Sequence, residues 1–218
     1  VIYVIASIVG ILLSYYSFKL YKFSQRKEHM FLNYGLILMT IGFIVLAVST
    51  LYGFSIFWSC YPICQFDLLD PDYLYTVRIG NYLYYLLTLV GYAFLAASYL
   101  KNFGKNKFFI SIPLNLTALI QKQDILGFIY PFANAYFQLF HLLSIVILTF
   151  LVSNSLTNYF ATKDKYRFLV MLGFGFIVAY HFLMALTEVN AIVFALAHVS
   201  LLAGLMSLLW MLIKVNSR

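Results

Sequence analysis

From Phe31 to Ile56 no residue carries a charge, and the chain contains six more apolar segments of comparable character. They run roughly over 1–18, 79–100, 107–121, 125–152, 167–187 and 191–213. An apolar run near twenty residues is the length of a helix that crosses a bilayer. Hydrocarbon offers the backbone no hydrogen-bond partner, so such a segment must satisfy itself as a helix. Only 10% of the 218 residues are charged against 64% hydrophobic, too few to cover a water-soluble fold. The expected fold is therefore all-α: a polytopic bundle of seven transmembrane helices in the cell membrane, with no soluble domain. The chain begins at Val1, which leaves room for sequence upstream. Its first apolar run lacks a basic leader and a small-residue cleavage site, and is read as a retained span, not a signal peptide.

The cations set the orientation. Lys19, Lys22, Arg26 and Lys27 follow the first span, and Lys101, Lys105 and Lys107 follow the third. Lys163, Lys165 and Arg167 follow the fifth, while Lys214 and Arg218 follow the last. Twelve of the fourteen Lys and Arg thus fall on one side, leaving Arg78 and Lys122 on the other. Five of the seven acids (Asp67, Asp70, Asp72, Asp124 and Glu188) lie opposite the basic side. Positive residues stay in the cytoplasm, so the N-terminus is expected outside and the C-terminus inside. The net charge of +7 then belongs to the anionic membrane surface, and nucleic acid is not an expected partner. The fourth span is short and carries Pro113 and Asn115. It is kept because a re-entrant segment there would move the Lys163 loop to the outside.

An internal duplication is legible in the loops. A shift of 138 places Lys27 on Lys165, Gly35 on Gly173, Leu46 on Met184 and Ala47 on Ala185. A shift of 113 places Gly91 on Gly204 and Lys101 on Lys214. The plan is 3+1+3: one three-helix unit over 1–102, a linker helix over 103–124 and a second unit over 125–218. Parallel repeats of this kind occur in the small sugar transporters called SWEETs. Those carry matched prolines in both triplets, whereas Pro62, Pro71, Pro113 and Pro131 lie elsewhere. Microbial rhodopsins need a lysine within the last helix, and none stands between Ala191 and Ile213.

Three histidines fall inside apolar segments, where ionisable groups are costly and usually functional. His181 and His198 have similar expected depths on adjacent helices, and His141 lies nearer mid-membrane. Glu188 follows His181 by seven residues, two turns along one helical face. Imidazole nitrogen binds transition metals and haem iron, so His181, His198 and His141 are candidates for a cofactor site. His181, His198 and Glu188 are the candidate metal set. Helix-to-helix hydrogen bonding is the competing role for the same residues. Tyr85 and Phe43 stand at the matching positions of the first unit, so a site is expected in the second unit alone. Cys60 and Cys64 flank Pro62 and are candidates for a local disulfide outside the cytoplasm. The 57–78 loop, with three aspartates and several aromatics, is a candidate docking surface for an extracytoplasmic partner. Tyr82, Tyr84 and Tyr85 are expected to extend its interfacial aromatic belt. Ala197, Ser200, Gly204 and Ser207 form a small-residue stripe suited to close helix packing, as do Gly173 and Gly175.

No nucleophile–base pair, phosphate loop or paired intramembrane carboxylate appears, so independent catalysis is not expected. Three roles remain. The first is a non-catalytic subunit of a larger membrane complex, holding haem or a metal ion. The second is a seven-helix sensor that signals through a partner, and the third is a small-solute transporter.

Overall fold

A computed structural model describes residues 2–60, 71–99, 132–186 and 191–217, with the side chains of 56–60, 71–75 and 132–135 excluded. Among the described residues the chain is entirely helical. The helices are α1 (Ile2–Ser24), α2 (Lys27–Cys60), α3 (Pro71–Tyr99), α4 (Phe132–Thr162), α5 (Lys165–Ala185) and α6 (Ala191–Asn216). All six are long and apolar enough to cross a membrane. Even α5, with 21 residues, reaches about 30 Å at 1.5 Å per residue. The fourth span expected over 107–121, the Cys60–Cys64 pair, Glu188 and most of the 57–78 loop lie outside the described residues.

Each described helix packs on its neighbours in chain order, and α6 returns to α1 to close a ring. Large apolar side chains such as Ile8, Leu86, Phe182, Ile192 and Val199 face outward. A continuous apolar exterior of this kind is what lipid, not water, tolerates. Leu13, Met39, Phe43, Tyr92, Leu151, Phe174 and Leu205 fill the interior.

Side-chain contacts fix the helix directions. Ser17 meets Asn33 while Gly10 meets Thr40, so α1 and α2 are antiparallel. Gly35 meets Gly91 while Gly80 meets Ser49, so α2 and α3 are antiparallel as well. The seams between the two halves run the other way. Tyr3 touches His198 at the start of α1 and α6, and Asn216 donates to the Tyr16 carbonyl near their ends at 3.1 Å. These two helices are therefore parallel. Tyr82 packs on Tyr136, Tyr85 stacks on Phe140 at 4.4 Å, and Tyr99 approaches Ser155, so α3 and α4 are parallel too. In consequence the basic ends of α1, α4 and α6 share one end of the bundle. There Lys19, Lys163 and Lys214 each lay their ammonium over an aromatic ring of their own helix: Phe23, Phe160 and Trp210. Such contacts hold a cation at the edge of an apolar slab.

The turns after α1 and α4 are built alike. Gln25 and Lys163 adopt φ values of 53° and 54°, the left-handed conformation that ends a helix. Their amides donate to the carbonyls of Tyr21 and Tyr159 at 2.8 and 2.7 Å. The next helices begin at Lys27 and Lys165. Every one of these pairs is separated by 138 residues.

Glycine contacts repeat the correspondence deeper in the bundle. A Cβ on Gly35 would lie 2.8 Å from the Gly91 carbonyl and 2.9 Å from Leu95. One on Gly91 would meet Met39 at 2.8 Å and the Gly35 carbonyl at 2.9 Å. In the second half Gly173 faces Leu208 and the Gly204 carbonyl, while Gly204 faces Ile177 and the Gly173 carbonyl. Met39 with Ile177 and Leu95 with Leu208 keep the offsets of 138 and 113. Gly175, by contrast, has nothing near its missing Cβ, so its small size serves no contact among the described residues.

A candidate histidine–tyrosine centre

Three buried groups from three helices form a hydrogen-bonded row. Nδ1 of His141 (α4) lies 2.8 Å from Nδ1 of His181 (α5), and Nε2 of His181 lies 2.9 Å from the Tyr92 hydroxyl of α3. His181, His141 and Tyr92 are 0%, 1% and 1% exposed, so water does not complete their valences from outside. Aromatic rings form the walls. Phe137 sits edge-on to His141 at 4.4 Å, Phe140 contacts both imidazoles, and Tyr180 packs on His181 at 4.8 Å.

Proton counting restricts the row. A neutral imidazole has one N–H and one acceptor nitrogen. If Tyr92 donates to His181 Nε2, His181 donates from Nδ1 to His141 Nδ1, which leaves an N–H on His141 Nε2. If every bond runs the other way, His141 Nε2 becomes a bare acceptor and the Tyr92 proton needs a second acceptor, which is absent among the described residues. The first arrangement leaves one group unsatisfied and the second leaves two, so the first is favoured. His141 Nε2 is buried and has no hydrogen-bond partner among the described residues. An unpaired buried N–H costs ~1–3 kcal/mol, enough to favour binding of an acceptor there.

His198 belongs to a separate pair. Its Nδ1 faces the Phe194 carbonyl at 2.8 Å, and its Nε2 faces the Tyr3 hydroxyl at 2.9 Å. A carbonyl only accepts, so Nδ1 carries the proton and Tyr3 donates to Nε2. The expected convergence of His181 on His198 therefore gives way to two separate partnerships. The α5 helix turns His181 toward α3 and α4, whereas α6 turns His198 toward α1. Tyr180 lies between them, 5.8 Å from His198.

The His141–His181 pair does not have the spacing of two imidazoles on one metal, and Glu188 of the expected metal set lies outside the described residues. Two imidazoles on one tetrahedral zinc, with bonds of 2.0–2.1 Å, hold their nitrogens about 3.4 Å apart, and axial haem ligands stand roughly 4 Å apart. The 2.8 Å between His141 and His181 is instead a hydrogen bond. No group of three His, Cys, Asp or Glu capable of holding a metal occurs among the described residues.

Tyr92 and Tyr3 were not singled out by sequence, yet both complete the network from the first half of the chain. The centre accordingly spans both halves, contrary to the expectation that a site would stay within one. The signal available was a phenol beside Gly91, in an otherwise apolar run where a hydroxyl needs a partner. Tyr84 also departs from expectation. It is 2% exposed and packs on Phe43, because it shares the inward face of α3 with Thr88, Tyr92 and Leu95. Tyr82, 40% exposed, remains on the outer surface. Compared with known protein families, curated proteins and solved structures, the chain finds no match.

Proposed function

We propose that this chain is a seven-crossing sensor of the cell membrane, with its N-terminus outside, whose histidine–tyrosine centre takes up a small hydrogen-bond acceptor. Two equivalent three-helix units joined by a linker helix make up its body, and a partner at the basic, cytoplasmic end receives the signal. The observation that carries the sensing role is the buried, unpartnered Nε2 of His141 at the end of the Tyr92–His181–His141 row. Uptake of an acceptor there fixes one direction of the row and one orientation of each ring. Loss of the His181–His198 convergence removes the chemical support for a haem- or metal-holding subunit. A transport path finds no support either, since Phe43, Tyr92, Phe140 and Tyr180 fill the bundle interior.

The parallel course of α3 and α4 supports the seventh crossing. The chain leaves α3 at one end of the bundle and enters α4 at the other, as a further crossing between them would require. The constant offsets of the turns and glycine contacts support the duplication. The clustering of basic helix ends supports the orientation.

The test uses the full chain in lipid vesicles, with a fluorophore on a cysteine at position 163. His141→Phe should shift its emission relative to the wild type. Unchanged emission would leave the centre uncoupled from the basic end and remove the sensor reading. Purification from the native membrane with a Soret band or stoichiometric metal would instead return the role to a cofactor-holding subunit. Labelling of the position-163 cysteine from outside intact cells would overturn the orientation.

A further inference from the structure

A second polar site lies at the basic end, away from the histidines. There α3, α4 and α5 enclose a cavity of about 150 Å³ lined by Tyr99, Ser155, Asn158, Arg167 and Val170. Ser155 is 2% exposed, and its hydroxyl faces the Tyr99 phenol without a well-formed hydrogen bond among the described residues. The residue 138 positions earlier, Ser17, donates to Asn33 at 2.9 Å. At the position corresponding to Asn33 the second half carries Met171, which cannot accept in the same way. The serine is retained, the asparagine that partners Ser17 is replaced by a methionine, and a cavity stands beside Ser155 and Tyr99.

The cavity has the chemistry of an anion site. Arg167 is exposed at its rim and donates from Nη1 to the Asn158 carbonyl at 3.2 Å, which tethers the guanidinium there. One such bond leaves most of the five guanidinium N–H groups for a ligand, in a planar fork that matches phosphate oxygens. The neighbouring carboxylate, Asp164, is engaged as the N-cap of α5, accepting from the Tyr166 amide at 3.1 Å. Among the described residues no carboxylate lines the cavity. Basic pockets between transmembrane helices on the cytoplasmic side suit lipid headgroups.

We infer that this cavity binds a phosphate group, with Arg167 gripping two oxygens and Ser155 and Tyr99 donating hydroxyl hydrogen bonds. The group can belong to an anionic phospholipid or to free phosphate, and the experiment separates the two sources. Purified full-length chain is exchanged into phosphatidylcholine nanodiscs containing phosphatidylglycerol, and retained lipid is counted by native mass spectrometry. Arg167→Gln should reduce retained phosphatidylglycerol about tenfold and Ser155→Ala a few-fold, as expected for a charge-assisted pair and a single neutral hydrogen bond. Lys163→Gln removes the same charge nearby but outside the cavity, and should leave retention within about twofold. Equal losses for Lys163→Gln and Arg167→Gln would overturn the site, reducing it to diffuse attraction to a basic surface. In the second arm, inorganic phosphate is added to protein in detergent. Stabilisation of the wild type but not of Arg167→Gln identifies free phosphate as a ligand of the same site. Absence of both phosphatidylglycerol retention and phosphate stabilisation would overturn the proposal.

Discussion

The two halves of the bundle share a scaffold and differ in what they bury. Helices α2 and α3 meet through Gly35, Met39, Gly91 and Leu95, and helices α5 and α6 meet through Gly173, Ile177, Gly204 and Leu208. At the same offsets the inward polar positions diverge. Tyr3 corresponds to His141, Phe43 to His181, and Tyr85 to His198. One half thus carries aromatic rings where the other carries imidazoles. The hydroxyls of the first half then satisfy the imidazoles of the second, through Tyr3 with His198 and Tyr92 with His181. Backbone approach tolerates almost no change in side-chain volume, whereas a ring-sized pocket accepts rings of different chemistry. At these positions the two halves differ in ring chemistry while their glycine contacts are alike.

Substitutions at the shared glycines should break the comparison most severely. Gly91→Ala and Gly204→Ala each push a Cβ to within 2.9 Å of a facing backbone carbonyl and 2.8 Å of a packed side chain. Each should cost about 1–3 kcal/mol in thermal or denaturant unfolding of the purified protein. Gly175→Ala meets nothing and should be neutral or slightly stabilising. Equal effects at Gly175 and Gly204 would deny the close helix contact its role.

A smaller effect is expected on making the halves alike. His181→Phe installs the residue found at position 43, keeps a ring, and strands Tyr92 and His141 without their partner. The expected loss is about 1–2 kcal/mol, read in the same unfolding assay. Stability unchanged by His181→Phe would mean that the imidazole contributes only its shape.

The finest distinction lies between the two cross-half bonds. Tyr92→Phe and Tyr3→Phe each delete one hydroxyl, and hydrogen bonds between membrane helices average about 0.6 kcal/mol. A double-mutant cycle pairing Tyr92→Phe with His181→Phe should return coupling of that order. The cycle pairing Tyr92→Phe with His198→Phe should return none, because those groups share no bond. Coupling in the second cycle would merge the two networks into one.

Much of the scaffold was legible because it depends on pattern. Apolar length located the six described helices, and the spacing of basic loops and glycines led to Gly35, Gly91, Gly173 and Gly204, which do meet in pairs. The centre was legible only in part. Depth along a helix can be counted from sequence, so the three histidines stood out as buried. Azimuth cannot be read so well on helices that are apolar all round, and the pairing of His181 with His141 in place of His198 depended on it. Tyr92 was hidden for a related reason. In a chain with nineteen tyrosines, nothing local separates a phenol aimed at an imidazole from one lying at the lipid interface.

The direction of the seams has a mechanical consequence. Helices α2 and α3, and likewise α5 and α6, are held by backbone contact at glycine. At the described seams between the halves, both hydrogen bonds of the histidines to phenols cross the boundary, as does the bond from Asn216 to the Tyr16 carbonyl. Rocking of one pair against the other would strain Tyr3–His198, Tyr92–His181 and Asn216–Tyr16. The two phenols thus fasten the halves to each other at two separate points, one on each seam.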